Sequence, residues 1–123
     1  SGKWQGYGGQ NIDVEIDLDR SQSINYFSMG FYQDTRSWVI FPKTIDIYVK
    51  DRISDDYKLI ETIANTIPPE AEGSIKHIYE TEFTNIQARY VKIVAHYYGK
   101  LPAWHHAGSN YESMIFSDEI ILK

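Results

Sequence analysis

Apolar residues recur at every second position through most of this chain, and nowhere at the three-and-four spacing of a helix face. Ile12, Val14, Ile16 and Leu18 alternate with Asp13, Glu15 and Asp17, the pattern of a strand with one wet face. Ile24 to Tyr32 continues with Phe27, Met29 and Phe31 in step. Ile45, Ile47 and Val49 alternate with Asp46 and Tyr48, and Val91, Ile93 and Ala95 with Lys92 and Val94. Tyr57–Ile63 and Ile75–Phe83 read as weaker strands, and Met114, Phe116, Ile120 and Leu122 as a closing one. Turn residues separate these runs, so the pattern predicts an all-β fold of about seven or eight short strands, a sandwich or barrel.

The punctuation agrees. Asp51–Asp56 is a polar turn, and Pro68–Pro69 with Gly73 marks a loop that joins no ladder. Gly6-Tyr7-Gly8-Gly9 lacks the spacing of a phosphate-binding loop and reads as a turn. Two loops differ from the rest. Gln33–Phe41 carries Asp34, Arg36, Ser37 and Trp38, and Tyr98–Ser113 has no periodicity and contains Pro102, Trp104, His105, His106, Asn110 and Tyr111. Aperiodic loops longer than about 12–15 residues in compact domains tend to be functional. No internal repeat, low-complexity tract or second domain is present, so the expectation is a single domain over residues 1–123.

Composition narrows the function classes. The 123 residues carry 12 Lys and Arg against 17 Asp and Glu, a formal charge of −5. That balance opposes a phosphate-tracking nucleic-acid binder, which shows a basic footprint. It also opposes binding to an anionic membrane, which calls for basic clusters. The chain has no cysteine, which removes disulfides, thiol catalysis and thiolate zinc sites. Aromatics reach 15%, with ten Tyr, five Phe and three Trp, a surplus that suits sheets and sugar-binding surfaces alike.

No nucleophile elbow, His-Glu-x-x-His or Gly-rich phosphate cradle occurs. Glycosidase chemistry needs two carboxylates converging across a cleft. Asp118 and Glu119, adjacent in a strand, are expected on opposite faces. His105 and His106 lie side by side in an extended loop, where neighbouring side chains diverge, so a hydrogen-bonding role suits them better than a metal site. His77 and His96 fall in strands and carry no expected function, and Arg89 reads as structural. Sugar binding, by contrast, asks for an aromatic face against the C–H side of a pyranose and forked polar groups for its hydroxyls. Asp34, Arg36 and Trp38 in one loop, with Trp104, His105, Asn110 and Tyr111 in the other, supply both. Each has a structural alternative: Asp34 and Arg36 can pair and staple their loop, His105 can fix its loop by a hydrogen bond, and either indole can wedge beneath its own loop.

Several segments carry a family resemblance. Trp4-Gln5-Gly6-Tyr7-Gly8-Gly9 leads into Val14-Glu15-Ile16-Asp17-Leu18. Asp34-Thr35-Arg36-Ser37-Trp38 precedes Phe41-Pro42. Ile47-Tyr48-Val49, Ala88-Arg89-Tyr90-Val91-Lys92-Ile93, Pro102-Ala103-Trp104-His105 and Phe116-Ser117-Asp118-Glu119-Ile120 follow. In that order they resemble the coagulation factor 5/8 type C (discoidin-like, galactose-binding-like) domain. The flavour is similar to family 32 carbohydrate-binding modules and to the copies at the C-terminus of bacterial β-hexosaminidase or chitobiase-like glycoside hydrolases.

The resemblance implies a jelly-roll β-sandwich with no catalytic activity and its ligand loops gathered at one end. Arg36 with its neighbours and the Trp104–Tyr111 stretch fall where sugar-binding relatives make contacts, and Trp4 falls in a packing motif. It implies a structural calcium in which Glu119 of the closing strand takes part. The family's usual upstream strand and Asp-Gly loop have no counterpart after Ser1, so the domain is expected to lack its first strand. The function implied is that of a monomeric, secreted, periplasmic or cell-surface module. It would target a glycoside hydrolase domain of the same polypeptide to glycans bearing galactose or N-acetylhexosamine. The rival expectation is a structural or protein-interaction domain that packs on the catalytic domain and binds no sugar.

Overall fold

A computed structural model describes residues 5–123. Trp4 lies outside the described residues. The chain is all-β and antiparallel. Six strands form one continuous sheet: β1 (Gln5–Gly8), β2 (Ile12–Gln33), β3 (Thr44–Lys50), β4 (Lys58–Ala64), β5 (Ile75–His96) and β6 (Met114–Leu122). Their order across the sheet is β1-β6-β2-β5-β3-β4. A 3-10 turn, Thr35–Ser37, follows β2.

The strand count is lower than the alternation predicts because two pairs of predicted strands are continuous. β2 and β5 are each 22 residues long and pair with each other over almost their whole length. A straight strand of that length would run about 70 Å, whereas a chain of this size folds into a body only about 35 Å across. The pair must bend, and it does so at one level. The register slips between Asp17 and Gln22 and again between Ile24 and Tyr26. Asp19 and Asn85 adopt left-handed φ angles of 73° and 58° there. Asp and Asn tolerate that region better than other L-residues, so polar residues that read as turn signals serve as bulges inside a ladder.

The bend gives the sheet two halves. β4, β3, the second half of β5 and the first half of β2 make one; the first half of β5, the second half of β2, β6 and β1 make the other. Ile45, Ile47, Val49, Val91, Ile93 and Ala95 from the first join Phe27, Met29, Phe31, Tyr79 and Ile115 from the second in a single buried cluster. Two half-sheets contributing to one core is an arrangement compatible with the expected jelly-roll sandwich. Phe31 and Phe41 meet Tyr79 edge-on at 5.4 and 5.9 Å, and burying each such ring contributes roughly 1.5–3 kcal/mol.

Two local expectations are corrected. Gly6-Tyr7-Gly8 belongs to β1, paired with Phe116, Ile115 and Met114 of β6, so the turn is confined to Gly9 at φ 63°. A side chain at Gly9 would also press on Glu112, with a Cβ contact of 3.2 Å. The second correction concerns Asp118 and Glu119. Phe31 pairs with Ser117 and Met29 with Ile120, so two residues of β6 stand opposite Gly30 alone. Ser117 and Ile120 both turn toward the core with their partners, and strict alternation therefore does not hold across Asp118–Glu119. The argument that placed those two carboxylates on opposite faces fails at this bulge.

Candidate functional site

Four chain segments meet where β2 ends, β5 begins and β6 begins. The first is the turn after β2. Asp34 and Val39 exchange backbone hydrogen bonds of 2.9 and 3.1 Å, closing a loop around the 3-10 turn. Trp38 ends that turn in the left-handed region, at φ 73°, donating its N–H to the Thr35 carbonyl. The second segment is the loop between β4 and β5. Asn65 holds it through Ile67 and the Tyr79 hydroxyl. Deeper in, the wholly buried Gln33 accepts from the Phe41 N–H at 3.0 Å and donates to the Pro68 carbonyl at 3.1 Å. Its amide is thereby satisfied, as a buried polar group must be.

The third segment is the loop 97–113. An antiparallel backbone β-bridge between Lys100 and Glu112 and the Leu101 N–H to Tyr111 carbonyl bond close its base, with Ser113 bound to the Gly99 carbonyl through both N–H and hydroxyl. Leu101 is buried beneath it. The start of β6 is the fourth: Met114 donates to the Trp38 carbonyl and accepts from Ile40, tying the first loop to the third.

Between these segments opens a cleft of about 510 Å³. Asp34, Thr35 and Arg36 form one wall, Pro69–Gly73 a second, and Trp104, His105 and His106 a third. Of the residues singled out from sequence, the cleft brings together Asp34, Arg36, Trp104 and His105. Trp38, Asn110 and Tyr111 lie outside it. The Trp38 and Tyr111 rings pack on each other instead, with centroids 5.1 Å apart.

The four that meet do different things. Trp104 is 56% exposed and lines the cleft. Arg36 is exposed, and among the described residues its guanidinium makes no hydrogen bond or ion pair. The Asp34–Arg36 staple that the sequence allows is therefore not formed; the Asp34 carboxylate accepts from the Ser37 hydroxyl at 3.3 Å. His105 is only 6% exposed. Its Nδ1 accepts from the Ala107 N–H at 3.1 Å, which leaves Nε2 to carry the proton and donate to the Thr35 carbonyl. With both nitrogens occupied, His105 takes the loop-fixing role. His106 does not diverge from it: the two rings stand 4.2 Å apart at 30°, and His106 lies on the cleft wall.

Sequence reading missed the second wall. Pro68–Pro69 marked a loop but gave Glu70 and Glu72 no role. The available signal was topological: β2 and β5 pair antiparallel, with Gln33 opposite Ile75, so the loop entering β5 must lie beside the turn leaving β2.

Outside the cleft, Arg89 forks onto Asp17 through Nε at 2.9 Å and a second nitrogen at 3.2 Å, the structural role expected of it. His96 bonds Asp46 at 2.8 Å across the sheet. Glu119 is exposed on β6. Among the described residues no group of three or more His, Cys, Asp or Glu side chains converges to hold a metal.

No family model matches the chain, and no curated protein matches it.

Proposed function

We propose that this chain is a non-catalytic carbohydrate-binding module whose cleft holds a terminal sugar such as galactose or an N-acetylhexosamine. Attached to a glycoside hydrolase of the β-hexosaminidase or chitobiase kind, it would raise the local concentration of glycan at the enzyme. The observation that carries the reading is an exposed Trp104 lining the same cleft as Asp34 and Arg36, whose guanidinium has no protein partner among the described residues. An aromatic face covers the C–H side of a pyranose, and the guanidinium fork with a carboxylate satisfies a pair of vicinal hydroxyls. The contact area is small, so affinity is expected on the order of millimolar to tens of micromolar.

The test is a protein-observed NMR titration with galactose, N-acetylglucosamine and N-acetylgalactosamine in separate runs. Saturable shifts of the Trp104 indole and of the Arg36 turn are expected. Trp104→Ala and Arg36→Ala each abolish them while the backbone spectrum stays that of the folded chain. If none of the sugars moves a signal at tens of millimolar, roughly the weak limit of useful affinity, monosaccharide recognition fails. A second reading, a domain that packs on its neighbour and binds no sugar, draws on a different observation. The Trp38 ring packs on that of Tyr111, and His105 is bound to the Thr35 carbonyl, so these rings serve to hold the loops together. Retained binding in neither variant, with loss of fold in both, would favour it.

A further inference from the structure

We propose that the cleft selects among sugars by charge, taking a hexosamine with a free 2-amino group in preference to its N-acetylated form and turning away uronic acids. The inference rests on the carbohydrate reading above and adds the ligand class.

Three carboxylates, Asp34, Glu70 and Glu72, line the cleft against one guanidinium, Arg36. Among the described residues Glu70 and Glu72 make no hydrogen bond or ion pair, and both are exposed. Arg36 shares the cleft with all three carboxylates, yet no nitrogen of it comes within 4.0 Å of any of their oxygens. Opposite charges that face one cavity without closing a bridge leave room for a ligand to sit between them. Had the wall existed only to hold its loop, Gln33 and Thr35 already do that through the Pro68 and Pro69 carbonyls. The Glu70 and Glu72 side chains are not needed for it.

A pyranose stacked on Trp104 with hydroxyls on Arg36 and Asp34 turns its far edge to the 69–73 wall. An ammonium on that edge meets two carboxylates; an N-acetyl group meets them as a neutral amide; a uronate meets them as a like charge. In a water-like medium one contact between unit charges at about 4 Å is worth on the order of fivefold in affinity. Two partly screened contacts give roughly tenfold. The molecule's overall charge of −5 acts in the same direction, favouring cationic over anionic ligands.

The experiment titrates the whole chain with glucosamine, N-acetylglucosamine and glucuronate, at low salt and at a pH where the amine is protonated, reading the Trp104 indole signal. The same titrations are made on Glu70→Gln/Glu72→Gln. Glucosamine is expected to bind roughly tenfold more tightly than N-acetylglucosamine, with glucuronate weakest. In the double variant the tenfold ratio of glucosamine to N-acetylglucosamine affinity falls to about one. Equal binding of the two hexosamines, or a preference that survives in the double variant, overturns the charge selection and leaves the sugar site standing. Silence from galactose as well as from these three sugars removes the carbohydrate reading, and the charge selection with it. Because both glutamates are exposed and unpaired, the variant is expected to keep its fold, checked by its near-ultraviolet circular dichroism.

Discussion

The Thr35 carbonyl accepts from the Trp38 N–H and from His105 Nε2, while its hydroxyl donates to the Pro69 carbonyl at 2.7 Å. One buried residue of the first wall is thus bonded to the other two, through Pro69 and His105. Thr35→Val keeps the shape and removes only the Pro69 bond. It is expected to cost about 1 kcal/mol in urea unfolding and to broaden the resonances of the 69–73 loop while Trp104 stays sharp. His105→Ala should do the reverse, sharpening nothing at 69–73 and freeing the Trp104 loop. Unchanged Trp104 line widths in His105→Ala would show that the 97–113 loop is held by its ladder at Lys100–Glu112 alone. At this scale the sequence was half readable. Trp104 and Arg36 stood out because bulky aromatic and forked cationic side chains in irregular segments have few structural uses. His105 could not be sorted, since an imidazole that binds a ligand and one that binds a backbone carbonyl look the same until its neighbours in space are known. Thr35 and Gln33 were not visible at all: their partners lie 34 and 35 residues away, at Pro69 and Pro68.

The bent β2–β5 ladder sets where the cleft walls lie, and its corner depends on residues that accept a left-handed backbone. Asn85 is exposed, at φ 58°, and its side chain makes no hydrogen bond among the described residues. A β-branched side chain at such a φ costs about 1–2 kcal/mol, whereas glycine adopts it freely. Asn85→Val is therefore expected to lower the urea midpoint by an amount equivalent to about 1–2 kcal/mol, and Asn85→Gly to leave it level or slightly raised. Equal stability in the two variants would mean that the corner does not need the left-handed residue. Periodicity located the segments of β2 to β6 because apolar residues alternate along each, and it missed β1, whose Gly6-Tyr7-Gly8 has no such alternation. It cut β2 and β5 in two because Asp19–Gln22 and Thr84–Asn85 have the composition of turns, and composition does not say whether the chain reverses or merely bends. The distinction lies in pairing: a turn would bring a strand back on itself, whereas here the partner strand bends at the same level.

Across the whole molecule, charge is distributed unevenly over the outer face of the first half-sheet. Asp13, Glu15 and Asp17 of β2 face Lys92 and Arg89 of β5 and the Tyr57 hydroxyl. Tyr57 lies beneath Lys50, whose ammonium is 4.5 Å from the ring centre, and donates to Glu15 at 3.1 Å. Burial first, and then the bond to Glu15, push its phenol up from the ordinary value of 10.0 to about 12. The fold thus favours the neutral phenol more than the unfolded chain does. Its contribution is complete below the unfolded value of 10.0 and is lost as pH rises toward about 12. Asp17 behaves oppositely: the Arg89 hydrogen bond holds its carboxyl below 3.8, so its contribution is present above that value and fades as pH falls below it. Urea midpoints measured across the alkaline window should decline, and Tyr57→Phe should flatten part of that decline because the phenylalanine ring has no proton to lose. The substitution also removes the Glu15 bond, so at neutral pH the variant starts slightly lower and the two curves converge as pH climbs. Parallel curves for the two proteins would assign the alkaline loss to other groups, Tyr79 foremost, since burial raises its phenol as well. Separation of the two tyrosines is direct, because Tyr79 also holds Asn65 at the base of the 65–73 wall. Ionising Tyr79 would disturb the 65–73 wall and with it the cleft, whereas ionising Tyr57 lowers stability on the outer sheet face and leaves the proposed sugar binding as it was.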